Sequence, residues 1–340
     1  NGGSVTTFRD QTYNDTVTLG ADTTLAGNDV IFGQTLDSDG TSRALTINTA
    51  PDDADFTGNT VFNGEVGGIS PLASLLTNAE GDTTANGGLV VTTGGGQTYL
   101  DPVFVGDPGD TTTEFNDLTG NVAMGTGTIR FASTLDDDGI GVFGNEGSNV
   151  SVNTAGITRF DGLVGDTDGM IDGAGDDLPL TSLTTDAVGR THINNPTGDP
   201  THNPNTDPLT LPNLDPTMGG DITNPLVDAQ LNDANVFTSG NQTYNDDVIL
   251  SADDANATED IIFRAGLNAD DTQNTAADPA ADVKSTVTFA ARIDGRDAIN
   301  AGANGATHYM EGLTIYSDMS SVDQSKIGII APLEFVDIAN

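Results

Sequence analysis

Of the 340 residues, 44 are aspartate, and several fall in runs whose oxygens could converge on a cation. The densest is Asp166-Thr-Asp168-Gly-Met-Ile-Asp172-Gly-Ala-Gly-Asp176-Asp177; others are Asp37-Ser-Asp39-Gly40, Asp136-Asp137-Asp138-Gly139 and Asp270-Asp271. Alternating Asp and Gly can wrap oxygens around Ca²⁺, which takes about six to eight of them. Asp166, Asp168, Asp172 and Asp176 are therefore the candidate calcium ligands, and Ca²⁺ is the only cofactor the sequence suggests. No run matches the full twelve-residue calcium loop with its closing Glu, and the nonapeptide GGxGxDxUx array is absent. A solvated turn explains the same residues without a ligand.

Other chemistry finds less support. Paired carboxylates can hydrolyse glycosidic bonds, but such sites use aromatic or basic platforms for the sugar, and the chain has no Trp and only Lys284 and Lys326. A polysaccharide-active enzyme ranks last and no catalytic residue is assigned, so the chain is expected not to be an enzyme. His192, His202 and His308 show no Ser-His-Asp or metal spacing. Gly94-Gly95-Gly96 lacks the Lys of a phosphate loop and reads as a turn. Isopeptide bonds from Lys284 or Lys326 are a minor alternative, as is a sugar-binding row of Tyr13, Tyr99 and Tyr244. A stacked structural ladder is the expected role of those tyrosines.

The 51 acids face 10 bases, a net charge of −41. That surface repels phosphate backbones and anionic lipid, so no nucleic-acid partner is expected. No apolar run reaches the roughly 18 residues of a membrane span, so no membrane insertion is expected. Without Cys there is no disulfide, zinc knuckle or thiol nucleophile, which leaves cytosolic and extracellular homes open. The acids are expected in turns and insertions, leaving an ordinary apolar core.

Three segments share a signature: Gln11-Thr12-Tyr13, Gln97-Thr98-Tyr99 and Gln242-Thr243-Tyr244. Residues 11–32 and 242–263 are identical at 13 of 22 positions without a gap. A second half-motif follows each: LTINTA (45–50) then ISPLASLLTNAEG (69–81), VSVNTAGITRF (150–160) then LPLTSLTTDAVG (178–189), and LTIYSD (313–318) then IAPLEFVDIAN (330–340). The chain thus divides into repeat 1 (1–85), repeat 2 (86–235, with insertions at 107–120 and 190–235) and repeat 3 (236–340, with an insertion at 270–310). Within 194–225 prolines recur every four residues from Pro196 to Pro216, and proline cannot donate to a strand ladder, so this stretch is expected to leave the sheet as a loop or arm. The ends of the chain fall close together in the repeat frame, which reads as a slice of a longer repetitive chain.

Short runs such as Val17 with Leu19, Val30 with Phe32 and Leu45 with Ile47 alternate apolar with polar residues, and Gly, Asn or Asp punctuates them. No window sustains helical spacing. The expected fold is all-β, either a parallel β-solenoid with long loop insertions or, as the alternative, tandem antiparallel β-sandwiches. Asn-Gly pairs are too few for repeated hairpins, and repeats differing by about 60 residues suit a solenoid whose loops leave the coil.

The segments QTYNDTVTLGADTTL, IFGQTLD, LTINTA and GEVGGISPLASLLTNAEGDTTANGGLVVTTGGGQTY resemble the β-strand repeats of large bacterial surface proteins of the filamentous-haemagglutinin and autotransporter-adhesin type. The resemblance covers most of 1–100, about 120–195 and 236–270. It implies a right-handed parallel β-helix forming a shaft at the cell surface, with adhesion or biofilm-matrix roles. The expected function is therefore a structural, extracellular segment of a filament, sheath or adhesin stalk that self-associates head to tail or laterally. The alternative is an adhesin module binding a glycan or host surface through the insertions.

Overall fold

The computed structural model describes residues 3–49, 58–106, 112–119, 123–137, 147–165, 180–195, 236–252, 260–265, 285–294, 312–316 and 335–339. Among them every regular element is a strand, and none is a helix that could cross a membrane. The strands pair in parallel, apart from Leu118–Thr119 with Ala123–Met124, which close a small antiparallel hairpin.

Three stacked sheets result. Sheet A holds ten strands, from Ser4–Thr6 through Thr23–Gly27 and Ala44–Thr49 to Ile293–Asp294. Sheet B runs from Gln11–Tyr13 to Leu135–Asp137 and continues, through a bridge at Val164, into Val236–Thr238 and on to Phe335–Ala339. Sheet C starts with Val17–Leu19 and Leu36–Ser38, passes through a bridge at Val66, and ends at Val287–Phe289. The chain visits A, B and C in rotation, an arrangement consistent with a β-solenoid and incompatible with tandem antiparallel sandwiches.

Local sequence explains the strands. In Val30-Ile31-Phe32 the outer pair is buried and the middle residue half-buried, because successive side chains point to opposite faces. Parallel register then sets like on like: Tyr13, Phe32 and Phe62 lie opposite one another in sheet B. Stacked β-branched and aromatic residues fill the interior with few bulky groups per coil.

The repeat is fixed in strand positions while its length in residues varies. After Gln11–Tyr13 come Val17–Leu19, Thr23–Gly27, Val30–Phe32, Leu36–Ser38, Ala44–Thr49, Thr60–Phe62, Val66, Ser74–Thr77, Thr83–Ala85 and Leu89–Thr92, and the eleventh position is Gln97–Tyr99. After that come Val103–Val105, Thr112–Thr119, Ile129–Phe131, Leu135–Asp137, Asn149–Asn153, Ile157–Phe160, Val164, Ser182–Thr185, Arg190–Asn195 and Val236–Thr238, and the eleventh is Gln242–Tyr244. Even the seventh position agrees, a single-residue bridge at Val66 and at Val164. Each is followed by a left-handed glycine, Gly67 (φ +70°) and Gly165 (φ +72°), where a Cβ would meet the carbonyl of Val91 or Phe237 at 2.3 and 1.9 Å.

Eleven is not a multiple of three. Each copy therefore begins one sheet back from the last: the first QTY lies in sheet B, the second in A and the third in C. The expected ladder of Tyr13, Tyr99 and Tyr244 is corrected on this point, since residues on different sheets cannot stack. Each tyrosine heads its own aromatic column instead. Tyr13 stacks on Phe32 at 5.2 Å and Phe32 on Phe62 at 5.4 Å; Tyr99 stacks on Phe131 at 5.3 Å and Phe131 on Phe160 at 5.5 Å; Tyr244 stacks on Phe289 at 5.1 Å.

Three further expectations change. The insertion at 107–120 contains a strand, Thr112–Thr119, whose Thr113, Phe115 and Asp117 are buried while Thr112 and Glu114 are exposed. The insertion at 190–235 begins with strand Arg190–Asn195, and that at 270–310 includes Val287–Phe289 and Ile293–Asp294. Finally, the core is not purely apolar: Asp101, Asp117, Asp136, Asp137, Asp186 and Asp246 are all buried.

Candidate functional site

Asp166, Asp168, Asp172 and Asp176 lie outside the described residues, as do Asp270, Asp271, His202, His308, Lys284, Lys326 and all of the Pro-rich run beyond Asn195. Among the described residues no group of three or more His, Cys, Asp or Glu side chains gathers as a metal site. The other acidic runs have protein partners. Asp37 accepts the N–H groups of Ile69 and Ser70 at 2.9 and 3.0 Å, Asp39 pairs with Arg43 at 3.1 Å, and Asp137 accepts the Ser148 N–H at 2.7 Å. His192 is buried in strand Arg190–Asn195.

What the fold does bring together is a polar unit built on Gln-Thr-Tyr-x-Asp. The tyrosine hydroxyl donates to the glutamine two residues earlier: Tyr13 to Gln11 at 2.8 Å, Tyr99 to Gln97 at 2.9 Å and Tyr244 to Gln242 at 3.3 Å. Two residues apart on a strand means the same face, so both point inward. The glutamine amide then donates to the strand before it, to the carbonyls of Val5, Val90 and Val236 at 3.3, 3.1 and 3.2 Å. Gln11 and Gln97 reach a second carbonyl as well, Ala26 at 2.7 Å and Asn116 at 3.0 Å. One side chain thus ties a corner of the coil to its neighbour and satisfies the buried phenol.

The aspartate completes the unit from the other side. Asp101 accepts the hydroxyls of Thr77 at 2.6 Å and Thr83 at 2.7 Å, one ending a strand of sheet A and the other starting a strand of sheet B. Asp246 does the same with Thr185 at 3.0 Å and Thr191 at 2.9 Å, on either side of the next corner type. Asp101 and Asp246 are 1% and 3% exposed. Burial pushes each carboxyl up to about 6, against the threonine hydroxyls that hold it down. Burial also lifts Tyr99 and Tyr244 well above an ordinary phenol. Asp15, the first copy's equivalent, is exposed.

Asp117 is a third interior clasp. Its Oδ1 accepts the Thr92 hydroxyl at 3.0 Å and the N–H groups of Gly94 and Gly96 at 2.8 and 3.2 Å, and its Oδ2 accepts the Gly127 N–H at 2.8 Å. The glycine triplet is indeed a turn, and it wraps a buried carboxylate from the adjacent coil. On the outer face of sheet A, Arg130 and Arg159 both pair with Asp161, Arg130 at 2.6 Å. Such half-exposed pairs contribute little to stability.

These groups hold coil to coil; Asp101 and Asp246, with both flanks taken by threonine hydroxyls, offer no face to a substrate. The sequence carried the signal for them in the shared Asp two residues after each tyrosine and in the six-residue Thr spacing of TNAEGDT (77–83) and TDAVGRT (185–191). Replacing Gln97 by alanine is expected to lower the unfolding free energy by about 2–3 kcal/mol, because the Tyr99 hydroxyl and two carbonyls lose their buried partner. Urea unfolding measures it, and a loss below about 0.5 kcal/mol would mean the site is hydrated. The same change at Gln11, beside a half-buried Tyr13, is expected to cost less.

Compared with known proteins, the chain matches no family model, no curated protein and no solved structure.

Proposed function

We propose that this chain is a structural, extracellular protein, a segment of a right-handed β-solenoid shaft that builds a surface filament, sheath or adhesin stalk. The supporting observation is that several buried polar side chains join one coil to the next: Gln97, Asp101, Asp117 and Asp246 each bond across strands of neighbouring positions. The right hand follows from the usual sense of crossover connections between parallel strands. Stacked strands give stiffness along the axis, and each coil contacts only its neighbours, so length adds without a larger core.

The charge of −41 suits this role. An acidic exterior keeps long bodies apart in solution, and divalent cations such as Ca²⁺ would draw them together. Strand edges left open at a solenoid end favour head-to-tail contact between copies. Long connections between fixed strand positions, such as the one from Asn195 to Val236, are the place for any glycan or host-surface contact.

Electron microscopy and light scattering across a concentration series, with and without chelator, test the reading. Thin rods that lengthen with concentration are expected, and bundle when Ca²⁺ is added. Compact particles that remain monomeric at high concentration would overturn it. Deleting 194–225 separates a contact arm from an assembly element: attachment lost with rods intact identifies the former.

A further inference from the structure

Asp186 is 6% exposed, and neither of its carboxyl oxygens has a hydrogen-bond partner of ordinary geometry. It directly follows Thr185, just as Asn78 follows Thr77 one repeat earlier. The registers make the two positions equivalent. Ile47 lies opposite Thr77 and Val152 opposite Thr185, so Asn78 faces the strand end at Thr49 and Asp186 faces the strand end at Thr154.

At Asn78 the corner is closed on both sides. Its Oδ1 accepts the Thr49 N–H and hydroxyl, both at 2.9 Å, and its Nδ2 donates to the Thr49 carbonyl at 2.8 Å. An ionised aspartate can copy the first half of this clasp but not the second, since it has no proton to give the carbonyl. In the second repeat the Thr154 hydroxyl has turned away, to the carbonyls of Gly125 at 3.2 Å and Gly127 at 2.6 Å.

The surroundings of Asp186 disfavour its charge. The group that bears on it is Asp246, from the corner of the following coil, while the cations Arg190 and Arg292 act on Asp247 instead. Thr191 points inward to Asp246, so Arg190 and His192 alternate to the other face of that strand. The preceding strand, Asn149–Asn153, brings no charge. Burial first, and the Asp246 carboxylate second, raise Asp186 to about 7, while the N–H groups of Thr154 and Val188 pull the other way more weakly.

We propose that Asp186 is carried as a neutral acid whose proton does the work of the asparagine amide, donating to the Thr154 carbonyl. Loss of that proton to solvent as pH rises unclasps the corner between Ser182–Thr185 and Arg190–Asn195 from the coil before it. Acid conditions tighten this joint and alkaline conditions loosen it, beyond any change at the Asn78 joint, whose corner also holds a buried aspartate, Asp101 in the place of Asp246, but has no counterpart of the Asp186 proton. The inference is independent of the shaft reading, since it concerns one joint and not the assembly.

The test compares the full chain with Asp186→Asn. At pH 5 the two should unfold alike, and by pH 8 the variant should be the more stable, its unfolding constant having risen about thirty- to a hundredfold less. A variant less stable at every pH, or one with an unchanged pH slope, overturns the proposal. Hydrogen exchange in the unaltered protein gives a second readout that needs no substitution. Corrected for intrinsic rates, the Thr154 amide should exchange about tenfold faster at pH 8 than at pH 6, with the Thr49 amide as internal control. Equal behaviour of the two amides also overturns it.

Discussion

Replacing Phe131 by alanine is expected to lower the unfolding free energy by about 3–5 kcal/mol, the range for removing a buried aromatic ring from a core that cannot collapse around the gap. Phe131 is 1% exposed and sits mid-column, 5.3 Å from Tyr99 above and 5.5 Å from Phe160 below, with Phe115 edge-on at 5.1 Å. Three rings lose their partner at once, and the backbone on either side is pinned by parallel ladders to Gln97–Tyr99 and Thr158–Phe160. Because each coil leans only on its neighbours, the damage should be local. Hydrogen exchange should quicken in 97–99, 129–131 and 157–160 and leave 17–19 unchanged, with urea unfolding giving the magnitude. A loss under about 1 kcal/mol would mean that the aromatic column is not the core of this stretch.

The second large effect is a fall in stability between pH 5 and pH 8. Asp101 and Asp246 are each held at about 6 and Asp186 at about 7, all above the value of an aspartate in the unfolded chain. A carboxyl raised on folding stabilises fully below its unfolded pKa of about 3.9, and that contribution is lost as pH climbs through the folded value. Loss is therefore expected to be steepest around pH 5–6, where the unfolded chain is ionised and the folded carboxyls are not, and to level off above about pH 7. Each group contributes on the order of 2 kcal/mol once partial solvation is allowed for, so melting should drop by about 5 °C or more from pH 5 to pH 8. This is the reverse of proteins whose carboxylates are ion-paired. A melting temperature that is flat or rises over this range would show the three aspartates ionised at no cost. Asp101→Asn should remove part of the fall, since an asparagine keeps an acceptor for Thr77 or Thr83 and carries no charge.

Much of the fold is legible in the residues. Gln-Thr-Tyr three times over, Val30-Ile31-Phe32 and Leu45-Thr46-Ile47 carry their own inside-outside alternation, which any two adjacent residues of a strand express. The half-motifs at 45, 150 and 313 occupy the same fifth position after their QTY, in strands Ala44–Thr49, Asn149–Asn153 and Gly312–Tyr316. The stretch 112–119 was less legible: Thr, Glu, Asn and Asp look like a loop, and only contact with Leu89–Thr92 and Asn149–Asn153 makes a strand of it. The candidate calcium run at 166–177 lies outside the described residues, whereas Asp101 and Asp246, two residues after their tyrosines, look in sequence like any other turn acid.

The sequence by itself determined that the chain is all-β, built of short alternating strands in a recurring order, and strongly acidic, because propensity, alternation and charge are properties of neighbouring residues. Only the tertiary structure decided which residue meets which. That each QTY falls on a different sheet depends on eleven positions being divided among three sheets, a count taken over a whole repeat. That Asp101 is a buried clasp rather than another surface charge depends on Thr77 and Thr83 arriving from earlier strands, 24 and 18 residues away. Local rules choose the face a side chain points to; whether that face is solvent or a hydroxyl is settled by the coil stacked beside it.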